Sequence, residues 1–264
     1  MRLSLLILAS LVLAGCGRKI PPPDDALQTA GELRSAIDAR VGSIESARFL
    51  DVVVDYFGEG ERVKVRQLVL VQQPANLRVQ TRVPGTEEIL SLLVSDGETF
   101  AMHRRDTNQY FTGEATPQNI ARLLPVDLSA RDVTRVMLGG APWDRFDAEG
   151  AEPRMQWDRR KGKYRYWVPT RDDGTLSMWV RHTDFAVEEV RQLDTREKVV
   201  YKYETDDWKP HQNIALPAWR RFVWPDRNLD FSMDVGQTQL NVELPQLLFE
   251  LPPPAGSEII QVDR

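Results

Sequence analysis

The stretch TPQNIARLLPVDLSARDVTRVMLGG (residues 116–140) lies between two long runs of strand-like sequence and predicts two short helices back to back. Thr116 can cap the first helix, and Pro117 can occupy its first position, where a missing N–H costs no hydrogen bond. Pro125 ends this helix because proline cannot continue it. The apolar residues of the first helix recur on one face: Ile120, Leu123 and Leu124.

The second helix has the same one-sided pattern. Ser129 can cap it, with Asp132 three residues later in an approximate capping box, and Gly139 and Gly140 end it. Its apolar face comprises Val133, Val136 and Met137. Helices this short are not stable alone in water, so both need an apolar surface to cover. The only such surface that the rest of the chain predicts is a β-sheet.

The segments on both sides of these helices alternate apolar and polar residues with the period of a β-strand. Turns such as Asp96-Gly97 separate them, and links this short permit antiparallel neighbours only. The segment LDFSMDV (229–235) alternates strictly, which predicts a sheet with one buried and one solvated face. Eleven segments have this character: 63–73, 76–83, 88–97, 99–105, 154–158, 163–169, 175–181, 185–193, 198–204, 216–224 and 229–235.

A third helix precedes the strands. Asp24 or Asp25 can cap it, and it runs to about Val41 before Gly42. Its apolar face comprises Leu27, Ala30, Leu33, Ile37 and Val41, and we expect this face to pack on the sheet rather than on a partner. Three helices and about eleven strands predict a mainly β (α+β) fold. Because neither half supplies a complete core, residues 26–264 are predicted to form a single domain.

Residues 1–15 have the features of a lipoprotein signal peptide, with Arg2 followed by an apolar run too short to span a bilayer. The sequence LAGC at 13–16 resembles the lipobox of bacterial lipoproteins, so we expect acylation of Cys16. The alternative is an ordinary signal peptide with a chance cysteine. Cys16 favours the lipobox because it is the only cysteine and stands at the required place.

The predicted anchor implies a location in the cell envelope. Residues 16–25 comprise the acylated cysteine and a tether, in which three consecutive prolines favour an extended spacer that lifts the domain off the membrane. Several acyl chains would hold the protein firmly to lipid. Gly17 replaces the aspartate that marks inner-membrane retention in the best-known sorting system. We therefore expect an outer-membrane lipoprotein facing the periplasm, with the inner membrane and cell surface left open.

Little in the sequence indicates catalysis or nucleic-acid binding. The formal net charge is -5, and no basic stripe with interleaved aromatic residues occurs. His103, His182 and His211 stand far apart without metal-ligand spacing. No nucleophile motif is present, and the single cysteine is assigned to the anchor. We expect a protein that is not an enzyme and has no cofactor, metal or nucleic-acid partner.

Two further features allow alternative interpretations. The densest basic cluster, RRKGK at 159–163, is typical of a solvated hairpin turn, which we favour over contact with anionic lipid. All seven tryptophans lie in the second half of the chain, at 143, 157, 167, 179, 208, 219 and 224. Large aromatic residues on strands indicate sheet core more often than a ligand cavity or a membrane-facing rim.

The order of these elements resembles the LolA/LolB-like superfamily of bacterial envelope lipoproteins. PANLRVQTRVPG (74–85) is similar to a strand pair of that family, and LLVSDGETFAMH (92–103) to one of its hairpins. ARLLPVDLSARDVTRVMLGG (121–140) resembles the helix pair of a poorly characterised outer-membrane branch. IALPAWRRFVW (214–224) resembles a later strand of the family, and LLFELPPPAGSEII (247–260) resembles its closing segment. The resemblance spans nearly the whole mature chain and implies a curved antiparallel half-barrel with helices as a lid.

This resemblance implies a monomeric protein that binds acyl chains of a lipid or lipoprotein in an apolar cavity under the lid. Other envelope proteins are further possible partners. The cavity candidates are Leu123, Leu124, Val136 and Met137 from the lid, with Leu77, Val79, Leu229, Phe231 and Met233 from the sheet.

One turn departs from the family pattern. The membrane-bound receptor of the superfamily projects a leucine from an early hairpin, whereas the comparable turn here, VPGTEE at 83–88, is short and acidic. The resemblance therefore leaves a lipid carrier and a structural or assembly lipoprotein, which uses the same fold as a protein-interaction scaffold, as alternatives.

Overall fold

A computed structural model describes residues 19–58, 60–83, 85–121, 124 and 126–262. These residues form one open, curved sheet of fourteen strands with four α-helices, which confirms the mainly β (α+β) architecture. The predicted signal peptide, Cys16 and the cavity candidate Leu123 lie outside the described residues.

The helices are α1 (Ala30–Gly42), α2 (Pro117–Ala121), α3 (Ala130–Met137) and α4 (Trp143–Asp147). The strands are β1 (Ser46–Gly58), β2 (Glu61–Gln72), β3 (Asn76–Arg82), β4 (Ile89–Ser95), β5 (Thr99–Arg104), β6 (Gln109–Glu114), β7 (Arg154–Asp158), β8 (Lys163–Pro169), β9 (Thr175–Val180), β10 (Val187–Leu193), β11 (Val199–His211), β12 (Ile214–Trp224), β13 (Leu229–Leu240) and β14 (Glu258–Val262). Short 3₁₀ turns occur at Pro225–Arg227 and Gln246–Phe249.

Two meanders meet at the centre of the sheet. The order is β14-β6-β5-β4-β3-β2-β1-β13-β12-β11-β10-β9-β8-β7, so β1 pairs with β13 and joins the two halves. All described neighbours are antiparallel except β14, which lies parallel to β6. A parallel partner needs a long connection, and the segment from 241 to 257 supplies it by crossing the outer face of the sheet.

The predicted strand count of about eleven is too low, because β1, β6 and β14 are not among the eleven segments. The alternation of β1 is interrupted by an irregularity between Phe49 and Val52, where Asp51 has a φ of 52°. Such a bulge adds a residue and shifts the later side chains to the opposite parity. The other two strands are only 6 and 5 residues long.

The N-cap of α1 is Thr29 rather than Asp24 or Asp25. The Thr29 side chain accepts a hydrogen bond from the Glu32 N–H, and the Glu32 carboxylate accepts one from the Thr29 N–H. This reciprocal pair is a complete capping box, which the aspartates cannot form because they lie in a turn after the prolines. Leu33, Ile37 and Val41 are buried, as the predicted apolar face requires.

The predicted tether is held against the domain from Ile20 onward. The Ile20 N–H donates to the Arg159 carbonyl at 2.8 Å, and Trp157 Nε1 donates to the Ile20 carbonyl at 3.0 Å. Farther along, the Leu27 N–H donates to the Tyr164 hydroxyl at 2.9 Å. The described part of this segment therefore lies on the β7–β8 hairpin instead of extending as a free spacer.

The main core lies on the concave face of the sheet, under α1, α3 and α4. A second, smaller cluster lies on the convex face, where Leu244 and Phe249 of the crossing segment cover Leu70 of β2. The Arg78 guanidinium fixes this segment by donating to the Leu248 carbonyl at 2.7 Å.

Candidate functional site: an apolar cavity under the helices

The two predicted short helices lie over the concave face. Thr116 accepts a hydrogen bond from the Asn119 N–H at the start of α2, and Ser129 accepts one from the Asp132 N–H at the start of α3, as predicted. The second helix, α3, ends at Met137, and Gly139 follows its C-cap with a φ of +78°, which suits glycine because it lacks a Cβ. The described first helix ends at Ala121, although the Leu124 N–H still donates to the Ile120 carbonyl at 2.8 Å.

Below α3 is a narrow apolar space, which we call the inner pocket. Its volume is only about 40 Å³. Seven of the nine cavity candidates line it: Leu77, Val79, Leu124, Val136, Met137, Phe231 and Met233. Six further residues line it and are not among the predicted candidates: Gln67, Val69, Val126, Leu128, Val133 and Phe222.

A wider space, the outer pocket, adjoins the inner one, since Gln67, Val79, Leu124 and Phe231 line both. Its volume is about 600 Å³. The eighth described candidate, Leu229, lies here rather than in the inner pocket. The missed lining residues are Val54, Tyr56, Val63, Val65, Thr81, Leu90, Ser91, Leu93, Met102 and Ala121.

The missed residues carry a signal that local reading could have used. Val63, Val65 and Gln67 alternate along β2, so they share one face of the sheet. Sequence alternation alone could not place the β1 residues Val54 and Tyr56 on the concave face, because the bulge before them reverses the alternation.

The outer pocket opens at one end of the sheet. Its lining includes Tyr56 near the end of β1, Val63 near the start of β2 and Leu229 at the start of β13. Because neighbouring strands are antiparallel, these three positions lie at the same end. We call this end the mouth. Val63 is 43% exposed, so the rim is partly apolar.

The lining suits apolar ligands. No described residue that lines either pocket is charged, and the polar ones are Tyr56, Gln67, Thr81 and Ser91. Gln67 Nε2 donates to Thr81 Oγ1 at 3.1 Å, so part of this polarity is satisfied within the wall. Such a surface can bury hydrocarbon.

Two buried arginines hold the C-terminal end of α3. Arg220, fully buried, donates to the Met137 carbonyl at 2.8 Å and to the Pro217 carbonyl at 2.7 Å. Arg40 donates to the Leu138 and Gly139 carbonyls at 3.3 and 3.4 Å. Burial lowers the pKa of both guanidinium groups. Positive charge at a helix C-terminus is favourable, so these contacts fix α3 over the sheet.

A buried carboxylate joins α3 to α4. Asp132, 1% exposed, accepts hydrogen bonds from the Asp144 and Arg145 N–H groups at 3.1 and 3.0 Å, which caps α4. Burial raises the pKa of Asp132 to about 7, the nearby Asp144 charge adds to this, and the two N–H donors oppose it. The Ser129 and Asp132 pair predicted as a capping box is thus present, but the Asp132 carboxylate caps α4 rather than α3.

The other half of the concave face is filled by aromatic rings. Trp143 and Phe146 of α4 meet Tyr166 edge-on, with ring centroids 5.4 and 5.5 Å from it. Tyr201 lies 5.0 Å from Trp224. Of the seven tryptophans, Trp143, Trp179 and Trp224 are buried and the other four partly exposed. None of the seven is among the described residues that line the two pockets.

The described residues contain no group of three or more His, Cys, Asp or Glu side chains placed to hold a metal ion. None of their helices has the length and hydropathy of a membrane span.

Comparison with protein-family models finds no match, and comparison with curated proteins finds none either. Solved structures do match. A DUF1329 family protein from Desulfovibrio piger superposes with a TM-score of 0.61 at 13% identity, covering 83% of this chain and 95% of the other. A LolA superfamily protein from Nitrosomonas europaea gives 0.58 at 13% identity, with 85% and 99% covered.

A putative outer membrane lipoprotein-sorting protein domain from Vibrio parahaemolyticus gives a TM-score of 0.57 at 8% identity, with 83% and 94% covered. At such identities the likeness concerns the fold. The curved sheet with its covering helices is therefore a LolA/LolB-like fold.

Proposed function

We propose that this protein is a membrane-anchored lipoprotein that binds acyl chains of a lipid or lipoprotein in the half-barrel cavity. The observation that supports the proposal is the pair of connected pockets, uncharged along their described lining and open at the mouth. Ligand sites commonly have volumes of about 300–1,000 Å³, and the outer pocket is of that order.

The geometry favours a chain-shaped ligand over a bulky one. The outer pocket is wide and reaches solvent, whereas the inner pocket continues it as a narrow apolar slot beneath Val136 and Met137. An alkyl chain could therefore enter at the mouth with its polar head outside. Each methylene removed from water would contribute about 0.8 kcal/mol.

The remaining parts of the proposal come from the sequence. Residues 1–15 act as a signal peptide, Cys16 is acylated, and the domain functions as a monomer at the periplasmic face of the outer membrane. Binding requires no cofactor and no covalent step. The acidic VPGTEE turn, which lacks an exposed leucine, favours a lipid carrier over a receptor that inserts lipoproteins.

Native mass spectrometry of the purified protein tests cavity binding. We expect co-purified lipid in the wild type and its loss in Leu124→Asp, since Leu124 lines both pockets and a carboxylate there would have to be desolvated by the alkyl chain. A series of fatty acids of increasing length should bind about fourfold more tightly per methylene until the space is full.

Leu247→Asp is the matched control, because Leu247 is 74% exposed on the convex face and contacts neither pocket. It should retain lipid. A wild type without lipid that is also indifferent to acyl probes would refute the carrier and leave the scaffold lipoprotein as the interpretation. Retention of firm membrane attachment by Cys16→Ser would refute the anchor separately.

A further inference from the structure

The β7–β8 turn carries positive charge that the protein does not neutralise. Arg159 and Arg160 are exposed, and among the described residues their side chains make no ion pair. The other two basic residues of the cluster are paired, Lys161 with Glu189 and Lys163 with Glu188. The carboxylate of Asp158 accepts from turn N–H groups and from Trp179 Nε1 at 2.8 Å.

The start of the described chain lies on this same turn. Ile20 is bonded to Arg159 and Trp157, as described above, and its side chain covers Gly162 closely enough that a Cβ there would lie 2.9 Å from it. Lys19 is exposed and also makes no described ion pair. Cys16 is three residues before Lys19, so their Cα atoms are at most about 11 Å apart.

Sheet topology places this turn opposite the mouth. Seven antiparallel steps lead from β7 through β8–β13 to β1, so β1 runs in the opposite direction to β7. The end of β7 therefore lies at one end of the sheet and the end of β1, with the mouth, at the other. We call the first of these the anchor end.

From these observations we infer that the anchor end docks on anionic lipid headgroups through Lys19, Arg159 and Arg160, with the cavity mouth directed away from that membrane. The inference rests on the proposed acylation of Cys16, but not on cavity binding. Charge complementarity selects headgroup phosphates as the occupant, and the acyl anchor brings the turn to them. Each basic side chain near such a surface favours docking about fivefold, so three give a preference of about a hundredfold.

Reporter cysteines can measure this orientation, because acylated Cys16 leaves no other thiol to label. Thr183 lies in the exposed turn after β9 at the anchor end, and Thr107 lies in the exposed turn after β5 at the mouth end. Thr183→Cys and Thr107→Cys, each labelled in the lipidated protein, form a matched pair. The readout is energy transfer to a headgroup-labelled lipid in phosphatidylcholine vesicles with and without phosphatidylglycerol.

We expect strong transfer from position 183 and weak transfer from position 107 in vesicles with phosphatidylglycerol, and a smaller difference without it. Arg159→Gln with Arg160→Gln should reduce the orientational preference about 25-fold, so that about one molecule in six is reversed. Arg105→Gln with Arg196→Gln removes two exposed charges from turns at the mouth end and should leave the transfer unchanged.

Equal transfer from the two positions, stronger transfer from position 107, or indifference to the Arg159 and Arg160 substitutions would overturn the inference. So would an intact mass of the membrane-extracted protein that lacks acyl chains. Lipid occupancy of the cavity, measured by native mass spectrometry on the same samples, should not change with the turn substitutions. A failure of docking is thereby distinguishable from a failure of cavity binding.

Discussion

The two halves of the concave face differ in how they are filled. On β7–β12, rings from α4 and the strands occupy the interior, with Trp143, Tyr166, Tyr201 and Tyr203 each 1–2% exposed. On β1–β5, the wall is mostly aliphatic and the space above it stays open at the mouth. One continuous sheet thus has a packed half and a hollow half.

The difference teaches that curvature alone does not make a cavity. Both halves are curved and both are covered by helices, but large rings interdigitate where α1 and α4 lie, whereas Val, Leu and Met side chains of the hollow half do not reach across. Stability is therefore expected to reside mainly in the packed half. We expect the hollow half to tolerate an open space, because its wall does not depend on full packing.

The largest loss of stability should follow from a substitution in the packed half. Trp143→Ala removes a ring that contacts Phe146 and Tyr166 and donates through Nε1 to Asp38 at 2.6 Å. We expect a loss of about 4 kcal/mol in the free energy of unfolding, measured by denaturant titration. Trp167→Ala, at a partly exposed outer position, is the control and should lose far less. Equal losses would show that α4 does not organise the packed half.

The next effect is the pH dependence of stability that Asp132 causes at the junction of α3 and α4. Burial raises the pKa of Asp132 to about 7 in the folded protein, well above the ordinary value of an aspartate, so the folded state holds this proton to higher pH than the unfolded state. Stability from this group is present at low pH and is lost as pH rises through about 7. Between pH 5 and 7 we expect a decline of roughly 2 kcal/mol.

Thermal unfolding of the wild type and of Asp132→Asn across that pH range measures this decline. The variant cannot ionise at this position, so its stability should be nearly flat where the wild type falls. Carboxylates with lowered pKa, such as Asp147 beside Arg34, titrate below this window and should not contribute. A parallel decline in both proteins would assign the effect to another group.

A matched pair of substitutions compares the two halves directly. Leu176 on β9 is 0% exposed in the packed half, and Leu93 on β4 is 2% exposed but lines the outer pocket. Leucine-to-alanine changes cost about 2–5 kcal/mol, depending on the void they leave. We expect Leu93→Ala near 2 kcal/mol, because its space joins one already open, and Leu176→Ala about 2 kcal/mol more. The reverse order in urea unfolding would contradict the division into halves.

The smallest stability effect should come from filling the hollow half. Ser91 is partly exposed on β4 and lines the outer pocket, so Ser91→Trp would place a ring in space that is empty. We expect a stability change within about 1 kcal/mol, since no packed neighbour is displaced, together with reduced lipid occupancy. Ser91→Ala should leave occupancy unchanged. Full occupancy in Ser91→Trp would place the bound lipid elsewhere.

Local sequence patterns predict individual helices and strands, but not the contacts between them. The caps at Thr116 and Ser129 and the alternation of 229–235 each depend on neighbours a few residues away, and the structure contains them. Eight of the nine cavity candidates lie on the two pockets, and Leu123 lies outside the described residues. Whether they bind a ligand stays a prediction.

The features that the sequence did not reveal are contacts between distant residues. Arg220 reads as an ordinary strand residue, and only folding brings it to the Met137 carbonyl. Asp132 reads as part of a capping box, whereas its carboxylate caps α4. The volume of the cavity depends on the combined sizes of side chains from many strands. It therefore cannot be predicted from any single segment.

The last strand has a consequence for association between molecules. β14 occupies the outer edge of β6 in parallel, and Tyr110 of β6 donates to the Leu251 carbonyl of the segment that leads to it. An uncovered β6 would present unpaired N–H and C=O groups, a template for strand addition by another chain. β14 is itself an edge of only 5 residues, so cleavage after Asn241 would exchange it for the edge of β6 and would also uncover Leu70 on the convex face, and we expect the cleaved protein to associate more readily than the intact one.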